Sequence, residues 1–489
     1  MAASAWRKAS VVGSGFLFNL TAGSIYTFAN MNVYICSYLR KVGATAQIWG
    51  DSGIDSDLVR SKDLSLCYAL AVVGIGLSVF IGGQLERRVG PRVGALVGGW
   101  LMSLGVALSA LTIQHSYTMF LFTYGIMFGV ASGLAYPCPL SCAFKWMPEQ
   151  RGLAGGLILA GTGLSPLIFG PLQTIFVNPH NKPPTSVPYP DQPEEKYYED
   201  SEIVDRVPLL LLHLAAIYAT IQFIAAMNFV SPPETLPPPM PHRGPPRTVP
   251  EPAKSSPLVQ ISPVSMVQSL SFWTLWLLFF FNGQIVSFLT TFWKVVGYRH
   301  LGLSDQALAY IGNSVVAMSS AAGRILWGMA SDAFTFKRCM IYITLLTGFF
   351  AFTLTTAAEY GPPAFFAWLA VLYSCIGGSF SMFPAVTAKT FGQTYFGTNY
   401  GVMYTARVAS AVSQAIVLGQ IYHKIGDEGV MPILAACSCI SLMLTLLFDP
   451  HAAIEYHDKA FRQSAEAARR YLSDAAHCTS RDRERDRAR

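Results

Sequence analysis

Two arginines stand apart from every other cation in this 489-residue sequence. Of its 34 lysines and arginines, all but Arg324 and Arg407 fall in polar segments or near the ends of apolar runs. These two sit well inside such runs. A cation deep in a membrane span costs roughly 2.5–3.5 kcal/mol on insertion scales, so its default reading is functional, facing a cavity. Arg324 lies eight residues before Asp332, where its run ends, and Arg407 lies nine residues after Thr398, where its run begins. At about 1.5 Å per residue both cations sit roughly 12–14 Å in from the same membrane face. The nearest acids, Asp63, Asp332, Glu359 and Asp449, fall at the ends of runs. Two cations at one depth without a fixed counter-ion invite a mobile anion. Arginine suits that task, because its planar fork meets a carboxylate through two parallel hydrogen bonds and stays charged. The competing reading is structural: Arg324 tied to helix ends or snorkelling, and Arg407 bonded to backbone carbonyls near Gly401.

Neutral polar and aromatic residues surround this pair in the sequence. GSIYTFANMN (23–32) puts Tyr26, Asn30 and Asn32 on an otherwise apolar stretch. Tyr136 precedes Pro137, and Phe380 and Phe383 precede Pro384. Buried tyrosines need hydrogen-bond partners, so Tyr26 and Tyr136 are candidates to close a cavity over a small ligand, and Phe383 to line it. RGLAGGLILAGTGLSP (151–166) is dense in small residues that let helices approach closely. The nine cysteines are scattered without metal spacing. There is no nucleophile elbow, phosphate loop or metal cluster, so neither an enzyme nor a cofactor is expected. The glycosylation sequon at Asn19 falls inside an apolar run and is expected to be unused.

The elements that must position these residues are membrane helices. The composition is 52% hydrophobic and 13% charged, half the charge of a soluble domain. Runs long enough to span fall near 10–36, 64–85, 93–113, 117–143, 152–177, 207–230, 267–293, 306–330, 339–358, 363–388, 398–422 and 430–449. The first follows Trp6-Arg7-Lys8 with no cleavage site, and is expected to be a span and not a signal peptide. The proline-rich stretch 231–257 divides the runs six and six. The expected layout is a six-helix bundle over 1–230, a cytoplasmic linker over 231–265, a second bundle over 266–450, and a tail over 451–489.

The halves echo each other. GGQLERRVGPR (82–92) is matched by GMASDAFTFKR (328–338), 246 residues on, and Tyr136-Pro137 by Phe383-Pro384, 247 residues on. A constant offset marks duplication of a six-helix unit, and such parallel repeats place a transport site between them. With the N-terminus cytoplasmic, the inner segments and tail hold twenty-two basic residues against ten outside, which predicts that both ends are cytoplasmic. The tail, with alternating charges in RDRERDRAR (481–489), reads as a solvated end and not a nucleic-acid arm.

On these motifs the chain resembles the major facilitator superfamily, and within it the oxalate/formate antiporter and monocarboxylate transporter group. GGQLERRVGPR and GRILWGMASD (323–332) look like the superfamily's paired loop signatures, and RGLAGGLILAGTG and FPAVTAKTFG…FGTNYGVMYTAR (383–407) look like the oxalate/formate branch. The resemblance covers nearly all of residues 10–450. It implies an all-α fold of twelve transmembrane helices in two pseudo-symmetric bundles. It also implies a gating motif of Gly82, Glu86, Arg87, Gly90, Arg92 and Asp332. The branch's cation in the eighth span and cation in the eleventh bind substrate carboxylates, and these positions are Arg324 and Arg407. Arg407 departs from the lysine of the best-known member. The proton-coupled branch has a lysine where this chain has Asn30 and an aspartate where it has Asn313, so both asparagines mark the cavity wall. Both departures put that branch's proton-coupling scheme in doubt.

The expected function is transport of a small mono- or dicarboxylate (oxalate, formate, pyruvate or lactate) by alternating access, with a counter-anion or a proton as partner. One rival is a carrier of neutral solutes, sugars or nucleosides, with structural arginines. The other is a non-transporting membrane sensor that signals through its tail.

Overall fold

The computed structural model describes residues 2–44, 59–188, 196–232, 260–301, 311–414, 419–450 and 452. Most of the proline-rich linker and nearly all of the tail lie outside these residues. The described chain is helical, and its one pairing of extended backbone is an isolated bridge between Ser186 and Tyr197. Each of the twelve apolar runs carries helix.

Helix α1 (Ala2–Ala22) passes through a 3₁₀ turn at Gly23–Thr27 into α2 (Phe28–Lys41). Helix α3 (Ser61–Thr112) joins two expected runs. It breaks at Gly90, whose φ of 83° is open to a residue without Cβ, and Pro91 follows. Helix α4 (Tyr117–Phe120), a π turn at Leu121–Met127, α5 (Phe128–Ala135) and α6 (Pro137–Trp146) form one continuous rod, followed by α7 (Arg151–Val177), α8 (Ser201–Val204) and α9 (Arg206–Met227). After the linker come α10 (Pro263–Val267), α11 (Leu270–Leu301), α12 (Asn313–Ala333), α13 (Phe336–Phe352) and α14 (Leu354–Glu359). The chain continues through α15 (Pro362–Phe391) and α16 (Phe396–Ser413) to α17 (Gly419–Leu447), which breaks at Gly426.

Among the described residues seven helices are long and apolar enough to cross a membrane, or eight if the bent α1–α2 pair is one span. One of the seven, within α3, covers 50 residues, twice what a bilayer needs. The two arginine-bearing helices, α12 and α16, fall outside this set.

Three apolar cores explain the shape. One draws only on the N-terminal helices, with Phe120, Tyr124 and Phe128 at its centre. A second draws only on the C-terminal helices, around Phe288, Phe365 and Leu369. The third runs from Val11 to Phe448 and takes residues from both sets. The two sets of helices therefore share a core at one end and keep separate cores at the other.

The shared end is tightly sealed. Gly83 of α3 lies backbone to backbone against Gly397 of α16, and Gly152 of α7 against Gly328 of α12; a Cβ at any of these would strike the facing main chain. Asp332 at the end of α12 accepts hydrogen bonds from the backbone N–H groups of Gly152 (3.0 Å) and Leu153 (2.8 Å), at the N-terminus of α7. It also pairs with Lys389 at 2.7 Å. Arg151 donates to the Ala388 carbonyl (2.9 Å), and Gln393 to that of Ser141 (3.2 Å). Gly83→Val is therefore expected to part this seam while leaving the separate cores folded. Hydrogen exchange over 396–400 should accelerate at least about tenfold, as a loss of 1.4 kcal/mol or more implies. Unchanged exchange would show that the glycine contact does not hold the seam.

Candidate functional site

Arg324 is held by close backbone packing. Gly323 seats α12 on the carbonyl of Ser374 in α15, and Gly156 of α7 rests on the carbonyl of Arg324 itself. These contacts leave the side chain only 5% exposed. Its Nε and one terminal nitrogen are buried without a hydrogen-bond acceptor. That terminal nitrogen lies over Gly163, where a Cβ would collide with it. An unmatched buried donor is expensive, and a charged one more so. An acceptor supplied from outside the protein would remove that cost.

Arg407 on α16 is anchored differently. Its Nη1 donates to the Gly283 carbonyl of α11 (3.0 Å), to Ser287 Oγ (3.3 Å) and to Ser410 Oγ (3.4 Å). These three acceptors lie on one edge of the guanidinium and fix its orientation.

One ring joins the two cations. The guanidinium carbon of Arg324 lies 5.5 Å from the centroid of Phe380, and that of Arg407 lies 5.6 Å from the same centroid. The two charges are therefore no more than about 11 Å apart. At an effective dielectric of 20 they repel by at least about 1.5 kcal/mol. The ring face offsets part of this through cation–π attraction, and an anion between them would remove it. Phe380→Leu is expected to weaken carboxylate binding about 5- to 30-fold, from two such contacts of ~0.5–1 kcal/mol each. KM for uptake measures it, and an unchanged KM would remove Phe380 from the site.

The N-terminal helices contribute phenols. Among the described residues, the ionisable groups within electrostatic reach of Arg324 are Tyr26, Tyr136 and Tyr404, and none is a carboxylate. Tyr68, Tyr400 and Tyr404 stand in the same relation to Arg407. The rings are in mutual contact: Tyr136 with Tyr404 at 5.7 Å and Tyr400 at 6.0 Å, and Tyr26 with Tyr68 at 6.4 Å. Tyr26 remains 38% exposed.

Of the residues singled out in the sequence, Arg324, Arg407, Tyr26 and Tyr136 thus come together. Three others do not join them. Asn30 donates to the Gly170 carbonyl (3.3 Å) and Thr174 Oγ1 (3.2 Å), tying α2 to α7. Asn313 is exposed at the start of α12, about three turns from Arg324. Phe383 is fully buried and stacks on Phe279 at 4.0 Å. Phe380, one turn earlier, takes the place beside the arginines. Tyr400, Tyr404 and Arg407 recur at helical spacing on one face of α16, a pattern present in the sequence but outweighed there by the charges.

The gating-motif residues cluster at the sealed end. Gly82 packs on the Leu134 carbonyl, and the Glu86 carboxylate accepts from Ser141 Oγ (2.9 Å) and Lys145 Nζ (3.2 Å). Arg87 lies over the Tyr395 ring at 4.8 Å, bridging the two sets of helices. Gly90 supplies the break in α3, and Arg92 donates to the Met227 carbonyl at 2.8 Å. Asp332 caps α7 from across the seam. Among the described residues no group of histidine, cysteine, aspartate and glutamate is arranged to hold a metal.

The two sets of helices share one core, keep two separate cores and hold polar groups between them. The chain belongs to the Major Facilitator Superfamily, whose sequence profile matches residues 24–415. It is 29% identical to apicoplast pyruvate carrier 1 of Toxoplasma gondii, over 90% of this chain and 88% of that protein. It is 24% identical to the oxalate:formate antiporter of Oxalobacter formigenes, over 76% of this chain and 78% of that one. Among solved structures, the proton:xylose symporter XylE superposes with a TM-score of 0.62 at 13% identity, covering 91% of this chain and 96% of the other. The protein is a transporter and not an enzyme.

Proposed function

We propose that this transporter carries small carboxylates, of which pyruvate, lactate, formate and oxalate are the class, and that Arg324 and Arg407 hold the carboxylate. The observation that carries this reading is the state of Arg324: among the described residues, two of its buried donor nitrogens have no acceptor and no carboxylate lies within electrostatic reach, beside a ring shared with a second cation. The names of the relatives, a pyruvate carrier and an oxalate:formate antiporter, point to the same class.

In this reading residues 1–230 and 266–450 are two bundles that rock about the site, with 231–265 as linker. The sealed end carries Arg87, Arg88, Arg92, Lys145 and Arg151, so the excess of inner positive charge makes it the cytoplasmic end. The site is then reached from the outer side. Substrate charge rests on the C-terminal bundle, while the N-terminal bundle closes over it with tyrosine hydroxyls. Without an anion the two arginines repel, so the empty carrier is slow to seal and exchange of one anion for another is favoured.

The test is uptake of labelled pyruvate, lactate, formate and oxalate into proteoliposomes, beside glucose and uridine, with and without internal carboxylate. Saturable carboxylate uptake stimulated by internal anion is expected. Uptake of the neutral solutes alone would overturn the reading and leave the arginines structural, as the three protein acceptors of Arg407 would then suggest.

A further inference from the structure

A basic cavity lies at the sealed end, lined by none of the residues that surround Arg324 and Arg407. It has a volume of about 220 Å³ and is lined by Gln84, Arg87, Arg88, Pro263, Tyr395 and Thr398. Its walls come from both sets of helices: Gln84 and the arginines from α3, Pro263 from α10, and Tyr395 and Thr398 from the start of α16.

The lining carries two positive charges and no acid. The one acid of the same loop, Glu86, is buried and turned to Ser141 and Lys145. Arg87 leans on the Tyr395 ring, whereas Arg88 is exposed and makes no ion pair or hydrogen bond with the described residues. Thr398 is only 4% exposed, lines the cavity, and its hydroxyl makes no hydrogen bond to the described residues. It belongs to the first turn of α16, an 18-residue helix whose N-terminal backbone favours negative charge. A hydroxyl donor, two guanidinium groups and a helix start converge on one small space.

We infer that this cavity is a regulatory anion site for a phosphate group, which clamps the two bundles together at the sealed end. The volume admits a phosphate with a short glycerol-like extension. Arg87 and Arg88 neutralise the phosphate and Thr398 donates to it, so the anion links α3 to α16 across the seam. Because the walls separate when the seam opens, binding favours the sealed state. Two sources share this chemistry, inorganic phosphate and the headgroup of an anionic phospholipid. The inference does not depend on which solute the carrier moves.

Hydrogen exchange of the full-length protein in phosphatidylcholine nanodiscs tests it, read over 84–92 and 394–400. Millimolar inorganic phosphate, or a fraction of phosphatidylglycerol in the disc, is expected to slow exchange there about tenfold, the effect of one or two charge-assisted hydrogen bonds. Arg88→Gln should remove the protection. So should Gln84→Glu, which sets a carboxylate among the arginines in the ligand's place. Protection by phosphate alone identifies a soluble anion, and protection by phosphatidylglycerol alone a lipid headgroup. No protection by either overturns the inference. Equal protection by chloride at matched ionic strength, or full protection in Arg88→Gln, does so as well.

Discussion

Arg324→Gln is expected to lower kcat/KM for carboxylate uptake by about 30-fold or more, while the protein stays folded and monodisperse. Truncating one partner of a buried, hydrogen-bonded charge pair typically removes about 2–5 kcal/mol, and the lower figure is already a factor of about 30. Glutamine fills much of the same volume and relieves a buried cation whose donors meet no acceptor, so the folded state should be as stable as the parent or more so. This combination of higher stability with lost transport separates a ligand-binding arginine from a structural one. Arg324→Lys should recover part of the activity, because it restores the charge but not the fork. A glutamine variant that loses stability and transport in parallel would mark Arg324 as a packing residue.

Asp332→Ala is expected to release the sealed end. The carboxylate of Asp332 satisfies two N–H groups at the start of α7 and pairs with Lys389, all across or beside the seam. Hydrogen bonds to a charged group are worth about 1.5–3 kcal/mol each. Losing both shifts the equilibrium between sealed and open states by roughly a hundredfold or more. Substrate binding in detergent should survive, since Asp332 lies about two helical turns from Arg324, while transport slows because one state is over-populated. Hydrogen exchange over 151–156 and 386–398 reads the opening directly. Protection unchanged from the parent would show that the glycine contacts hold the seam without the carboxylate. Asp332→Asn should be milder, since the amide oxygen still accepts from one N–H group.

Much of this architecture is legible in the residues, for physical reasons that differ by position. The helices follow from hydropathy, because a bilayer demands long apolar runs. Charge counting singles out the two arginines, because a cation inside a span is costly. Phe380 and Phe383 show where such reading stops. They are one turn apart and chemically identical, yet one lies beside both guanidinium groups and the other is fully buried on Phe279. The choice depends on how α15 is rotated against α11 and α16, which no local pattern encodes. Asn30 illustrates the same limit: a polar residue near a cavity finds its partners on the neighbouring helix, at Gly170 and Thr174. Arg88 and Thr398 read as ordinary loop and helix residues until the seam brings them together.

The central claim is that a carboxylate sits between Arg324 and Arg407. Its most direct test is equilibrium binding of pyruvate and oxalate to the purified protein, by calorimetry, for the parent, Arg324→Gln, Arg407→Gln and the double variant. The account predicts saturable binding by the parent and a large loss in each single variant. In the double variant the loss should be less than the two single losses combined, because the two cations share one ligand. Binding that persists in the double variant, or single losses that simply add as for independent sites, would contradict it.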